Sequence, residues 1–343
     1  PLIGILLPNT RWWGATFLAT LACGATAVPL DIHLSASELA CIVAHAGLTA
    51  LVTTPAFTDT IRQLRIACPQ LAAVVVIDRP EEPDAMVAQL ASYATAPLPR
   101  AHLRCDTAVI IYTSGTTGTP KGVPLTHGHL LTNVFDLLAM LAIAPGERFV
   151  SILPLNHVFE ILGGFVAPLA LASTITYVGT LRPDVILHTM REARVTVMMV
   201  VPVFLRRFLA RIKQQVRIRN GKWFDRFLWL CRGANRLGIP LGRLIFRSVR
   251  MALGPDLKAW VCGGAPINPE ILRDYAALGI TVLQGYGLTE TSPVVAVNTI
   301  RHNRIGSVGR PIPSVEIKVV PVDGAARREG ELWVRGGIVF RGY

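Results

Sequence analysis

Between Tyr112 and Gly122 the chain packs five hydroxyls (Thr113, Ser114, Thr116, Thr117 and Thr119), three glycines (Gly115, Gly118 and Gly122) and Lys121 into eleven residues. The run before it, Ala108-Val109-Ile110-Ile111, is short, β-branched and apolar, as a buried parallel strand requires. An apolar period resumes from Leu130. Strand, glycine-rich loop and helix are therefore expected in that order, an arrangement that aims backbone N–H groups and a helix N-terminus at an anion. A Walker A loop is excluded, because it needs Gly before the lysine and Ser or Thr after it, where this chain has Pro120 and Gly122. Another phosphate grip is implied, in which glycine permits close backbone approach and each hydroxyl offers a donor.

A second constellation lies far along the chain. Gly285-Tyr286-Gly287-Leu288-Thr289-Glu290-Thr291 follows the apolar run Ile280 to Leu283, and Gly263-Gly264-Ala265-Pro266 precedes both. A strand ending in such a turn can present the Tyr286 face for a purine to stack on. Thr289 offers a hydroxyl to a phosphate oxygen, and Glu290 a carboxylate to Mg²⁺, which takes one or two carboxylates plus substrate phosphates. A third, weaker match is Gly330-Glu331-Leu332-Trp333-Val334-Arg335-Gly336.

With these three segments in this order, the chain resembles the AMP-forming adenylate-forming enzymes, among them acyl-CoA synthetases, luciferases and peptide-synthetase adenylation domains. The resemblance implies that ATP and Mg²⁺ are used. It places Thr113, Ser114, Gly115, Thr116, Thr117, Gly118 and Lys121 around the β- and γ-phosphates, and Tyr286, with Gly263, Gly264, Ala265, Gly285 and Gly287, around the nucleotide. Thr289 would contact the α-phosphate, and Glu290 with Thr113 would hold the metal. Thr289, Glu290 and Lys121 are the catalytic candidates.

Alternating strand-like and helix-like runs imply an α/β fold: two parallel-sheet α/β subdomains with flanking helices, plus part of a small β-barrel from Ile305 onward. The expected divisions are 1–176, 177–300 and 301–343. Phe149 to Leu153 is assigned to the first series of strands, and Ile161 to Val178 to a buried helix followed by a strand rather than a membrane span. In the family an aspartate, a hinge and a small domain with a lysine follow the point where this sequence stops, so the 343 residues are expected to be a fragment of the large N-terminal domain. Six cysteines sit singly, without metal-ligand spacing, as reduced core residues of a cytoplasmic protein would.

Charge is concentrated. From Arg182 to Arg250 there are sixteen Lys or Arg against Asp184, Glu192 and Asp225, a surplus of thirteen in a chain whose net charge is +12. Within that window Trp223, Phe224, Phe227 and Trp229 interleave with bases, which suits a basic insert at 214–252 touching an anionic membrane from the inner face of the cell membrane. Nucleic acid is not expected, since no recognition motif is present. The insert, together with Leu153-Pro154-Leu155-Asn156-His157-Val158-Phe159-Glu160, is similar to the long-chain fatty acyl-CoA synthetase branch. That likeness implies a long-chain fatty acid and coenzyme A as substrates, with His157, Pro202 and Gly264 near the acyl group. Transfer to a carrier protein, release of free acyl-adenylate, and an inactive nucleotide-binding remnant are the alternatives.

Overall fold

The computed structural model describes residues 1–77, 103–113, 120–220, 223–322 and 329–343. The loops expected at Pro80 to Pro83 and Ala96 to Pro99, and most of the phosphate loop, Ser114 to Thr119, lie outside these residues.

The chain divides into two compact units. The first comprises Pro1–Leu131, Pro154–Val158 and Phe340–Tyr343. Its sheet has six strands: β1 (Leu2–Leu6), β2 (Thr26–Pro29), β3 (Ala50–Thr53), β4 (Ala73–Val76), β5 (Thr107–Thr113) and β6 (Lys121–Thr126), in the order β4-β3-β1-β2-β5-β6. All pairs are parallel except β5 with β6. Helices α1 (Arg11–Ala22), α2 (Ala36–Ala46) and α3 (Thr58–Ala67) connect the strands. Their starts and stops are locally encoded: Ser35 and Glu38 form a reciprocal capping box on α2, and Gly47 ends it at φ +64°. Leu6, Val28, Leu39, Val43, Leu51 and Leu64 form the core between sheet and helices.

The second unit comprises Thr132–Leu153 and Phe159–Val339. Its seven strands, β7 (Arg148–Ser151), β8 (Thr174–Tyr177), β9 (Val197–Val200), β10 (Ala259–Cys262), β11 (Val282–Gly287), β12 (Val294–Val297) and β13 (Arg310–Pro311), are ordered β13-β12-β11-β10-β9-β7-β8. The five from β8 to β11 run parallel, while β12 and β13 add an antiparallel edge. β7 therefore belongs to the second sheet, contrary to the series read from the sequence. A buried apolar run shows that it is a strand but not which neighbour it pairs with, and here Val150 pairs with Met198 of β9. The C-terminal segment, expected to be part of a small barrel, is among the described residues an antiparallel pair, β14 (Val315–Pro321) with β15 (Gly330–Gly336).

The remaining helices are α4 (His127–Leu141), α5 (Pro183–Glu192), α6 (Pro202–Asn220), α7 (Trp223–Arg236), α8 (Gly242–Ile245), α9 (Arg247–Leu253) and α10 (Pro269–Ala277). Trp260 of β10 sits edge-on to Phe204, Phe208 and Tyr275, and the Tyr275 hydroxyl donates to the Leu205 carbonyl at 2.7 Å. Asp274, on α10, joins three helices: Lys213 of α6 donates to it at 2.6 Å, and Arg232 Nε of α7 at 2.8 Å. Two bases of the Arg182 to Arg250 window are thus consumed internally.

Ile161 to Val178 folds as a buried π-helical turn, Ile161–Val166, a short helix, Ala167–Ala170, and then β8. Among the described residues no helix is long and apolar enough to cross a membrane. All six cysteines are free, but only Cys68, Cys231 and Cys262 are buried; Cys23, Cys41 and Cys105 are exposed, so the core assignment holds for three.

Candidate functional site

In the first unit the segment after the phosphate loop is a strand, not a helix. Thr113 and Lys121 are cross-strand partners at the ends of β5 and β6, so the loop joins an antiparallel pair and α4 begins only at His127. The reason is legible in Lys121 to Thr126, where Val123 and Leu125 are fully buried and their neighbours are not, a period of two. Pro124 is tolerated because β6 is the sheet edge. The helix N-terminus expected directly behind the loop is absent there, since α4 begins only at His127.

Gly122 has a packing reason. A Cβ there would lie 3.0 Å from Ile110 Cγ2 and 3.3 Å from the Tyr112 ring. Tyr112 is held by its hydroxyl 2.8 Å from His45 Nδ1, and its desolvation raises the phenol pKa. Lys121 Nζ stands 5.0 Å from the Tyr343 ring centroid. Thr126 caps α4, its hydroxyl accepting from the His129 N–H at 3.1 Å while His129 Nδ1 accepts from the Thr126 N–H at 3.3 Å. The Pro154–Val158 segment is tied down by the Leu155 N–H donating to Asn9 Oδ1. His157, in that segment, reaches solvent, yet its crowded surroundings lower its pKa, opposed by Asp31.

In the second unit, three expected site segments leave the C-terminal ends of adjacent parallel strands. Val200, Cys262 and Gln284 form one row across β9, β10 and β11, and the chain continues from them into Pro202, Gly263-Gly264-Ala265 and Gly285-Tyr286-Gly287. Open α/β sheets bind ligands outside this edge. Gly263 N–H donates to Val200 O, and a Cβ on Gly263 would press at 3.2 Å against the Phe159 ring. Gly264 has φ +83°, a conformation that favours glycine. Pro202, Arg206 and Pro266 to Asn268 line a cavity of about 170 Å³. A larger one, about 320 Å³, adjoins Gly279 to Val282 at the opposite end of β11 and is remote from this edge.

The turn bearing Tyr286, Thr289 and Glu290 is built around Thr291. Its hydroxyl accepts from the Leu288 N–H at 2.9 Å and lies 3.0 and 3.1 Å from the Leu288 and Pro293 carbonyls. Asn133 of α4 donates to the Val294 carbonyl at 2.8 Å, and Ser292, at φ +64°, donates to Ile338 O at 2.7 Å. Tyr286, Thr289 and Glu290 are all half-buried, held rather than floating. Asn133 and Thr291 were not singled out in the sequence, although an asparagine inside an apolar helical period is a detectable signal.

Glu160 was also missed. It is fully buried beside the π-helical turn, and burial pushes its pKa up to about 8. The Ser151 hydroxyl and the N–H groups of Leu153 and Ile152 lie against the carboxyl without closing well-formed hydrogen bonds, and a Cβ on Gly164 would fall 2.6 Å from it. The carboxyl is therefore neutral in the folded chain while the unfolded one ionises from about pH 4.5. Its contribution is complete below that pH and is lost as the pH rises to about 8. Relative to Glu160→Gln, the wild type should match the variant at pH 5 and lose roughly 4 kcal/mol by pH 9 in urea unfolding. A pH-independent difference would show that the side chain ionises freely in the folded state.

Residues 1–343 match the family described as AMP-binding enzyme. The chain belongs to that family. A long-chain-fatty-acid–CoA ligase of Mycobacterium tuberculosis is 31% identical over 99% of this chain and 59% of its own length. The peroxisomal long chain acyl-CoA synthetase 7 of Arabidopsis thaliana is 29% identical over 99% and 52%. Among solved structures, ATP-bound MatB from Rhodopseudomonas palustris superposes with a TM-score of 0.77 at 26% identity, covering 100% of this chain and 61% of that one. The chain thus spans little more than half the length of these AMP-binding relatives.

Proposed function

We propose that the whole protein activates a long-chain fatty acid with ATP as an acyl-adenylate and then forms the thioester with coenzyme A. The observation that carries this reading is the row Val200, Cys262 and Gln284, which delivers Pro202, the Gly263–Ala265 turn and Tyr286 to one edge of one sheet. The names of the relatives add the substrate class.

In this reading the carboxylate oxygen of the acid attacks the α-phosphorus, the bond to the β-phosphate oxygen breaks and pyrophosphate leaves. The sulfur of coenzyme A then attacks the acyl carbon and AMP leaves. Thr113, Ser114, Thr116, Thr117 and Lys121 hold the β- and γ-phosphates, with Gly115 and Gly118 giving backbone access. Tyr286 stacks on adenine, and Thr289 steadies the α-phosphate as charge builds. His157, Pro202 and Gly264 face the acyl group. Among the described residues no cluster of three acidic, histidine or cysteine side chains could hold a metal alone. In this reading the half-buried Glu290 carboxylate and the Thr113 oxygen would be the protein ligands of Mg²⁺ beside the substrate phosphates, and the ion would contribute neutralisation of phosphate charge. A cytoplasmic location with peripheral contact to an anionic membrane through the basic insert belongs to the same reading, since long-chain acids partition into bilayers.

The test is ATP–pyrophosphate exchange by the full-length protein. Glu290→Gln is expected to lower the exchange rate by about 10²- to 10³-fold with the unfolding midpoint unchanged. Wild-type exchange by this variant at saturating Mg²⁺ would falsify the role assigned to Glu290.

A further inference from the structure

Helix α7 carries more apolar surface than the fold uses. Phe224, Leu228 and Cys231, at i, i+4 and i+7, are buried and hold the helix on the second unit. Trp223, Phe227 and Leu230, one residue earlier at the same spacing, form a second apolar stripe about 100° around the axis, and this stripe is exposed. The apolar surface continues past the helix. Trp223 is 61% exposed, Leu237 79% and Leu244 75%, with Ile239 also in solvent; Trp229, also exposed, is two residues from Phe227 and lies on another face. A single exposed leucine needs no explanation, but a contiguous set on one helix and the turn after it does.

Cations border the stripe. Arg226 stands 5.8 Å over the Trp223 ring, whose centroid is 6.2 Å from that of Phe227. Arg236, Arg243 and Arg247 are exposed on α7, α8 and α9. The bases that fold the unit are different ones, Lys213 and Arg232, bound to Asp274 and Glu270. Asp225, two residues from Trp223, falls off the stripe.

We infer that the exposed stripe of α7, with the turn after it and α8, docks on an anionic lipid bilayer, with Trp223, Phe227, Leu230 and Leu237 entering the interface and the surrounding arginines meeting the headgroups. This rests on the membrane clause of the proposed function and names the face that performs it. Two features of the surface select this occupant. Its positive surplus opposes a second copy of the same face. Its aliphatic members, Leu230, Leu237, Ile239 and Leu244, gain nothing against a nucleic-acid backbone, whereas a bilayer rewards them through burial and attracts each cation.

The experiment is co-sedimentation of the full-length protein with phosphatidylcholine vesicles containing about one-third phosphatidylglycerol, against phosphatidylcholine alone. Binding to the anionic vesicles should be at least about tenfold tighter and weaken with salt. The triple variant Arg226→Ser, Arg243→Ser, Arg247→Ser should lose about a hundredfold in partition. Trp223→Ser with Phe227→Ser should lose about tenfold, and a blue shift of wild-type tryptophan emission on vesicle addition should shrink. Far-UV circular dichroism and activity on detergent-solubilised acid, unchanged in both variants, keep this apart from loss of fold or catalysis. If activity is absent from the wild type but vesicle binding follows the stripe, the ligase reading fails and the docking face stands. Equal binding by wild type and variants, equal binding to neutral vesicles, tighter binding to single-stranded RNA, or dimerisation that the aromatic variant abolishes would each overturn the inference.

Discussion

Gly287→Ala should unfold the turn that carries Tyr286, Thr289 and Glu290, whereas Gly285→Ala, two residues away, should leave it standing. A Cβ at Gly287 would be placed 1.6 Å from the Pro293 carbonyl oxygen and 3.0 Å from Val294 Cα, all backbone atoms of the opposite strand. No side-chain rotation relieves such an overlap. The β11–β12 pair, already shifted in register between Tyr286 and Gly287, must open, with loss of the Thr291 and Asn133 hydrogen bonds behind it. At Gly285 the nearest atom is Ala296 O at 3.4 Å, which an added methyl tolerates. Gly287→Ala is expected to cost more than about 3 kcal/mol in urea unfolding, and Gly285→Ala less than about 1 kcal/mol. ATP–pyrophosphate exchange in the full-length protein should collapse only for the first. Similar stability losses for the two variants would show that the turn is pliable and that close backbone approach is not what requires glycine.

Asp274→Ala is expected to be the most destabilising charge deletion in the second unit. The carboxylate is only 5% exposed and receives Lys213 from one helix and Arg232 from another. Removing it leaves Lys213, about one-third exposed, without its counter-charge and Arg232 with Glu270 as its remaining carboxylate, and loosens α6 and α7 from α10 together. Deleting one partner of a buried pair costs about 3–5 kcal/mol, and partial exposure of the cations brings the expectation to about 2–4 kcal/mol. The exposed pair Arg62 with Asp59 is the internal reference, where Asp59→Ala should change stability by less than about 0.5 kcal/mol. Chemical denaturation of both variants at equal ionic strength decides the matter. Equal effects would mean that the Asp274 network is as solvent-screened as a surface pair.

Much of the secondary structure was legible because it is locally encoded. Ala36–Ala46 and Ala259–Cys262 carry their period, cap or short apolar run in adjacent residues, and the structure has both. Strand β6 was misread because Leu130, in the following helix, dominated the apparent period, although Val123 and Leu125 alternate cleanly just before it. The Gly263–Ala265 and Gly285–Glu290 turns were found from their residue types. Glu160, Asn133 and Asp274 were not, because a carboxylate or amide in sequence gives no sign of whether water will reach it.

The amino-acid order by itself settled the α/β character, the glycine turns and their hydroxyls, the excess of arginine between Arg182 and Arg250, and the family to which these belong. Tertiary structure alone decided that β7 joins the second sheet, that β5 and β6 pair antiparallel, that burial raises the Glu160 pKa, and that α7 keeps one apolar stripe in solvent. The division has one physical cause. Backbone preferences and turn chemistry act over a few residues, whereas strand pairing, desolvation and exposure are set by whichever distant segment arrives alongside.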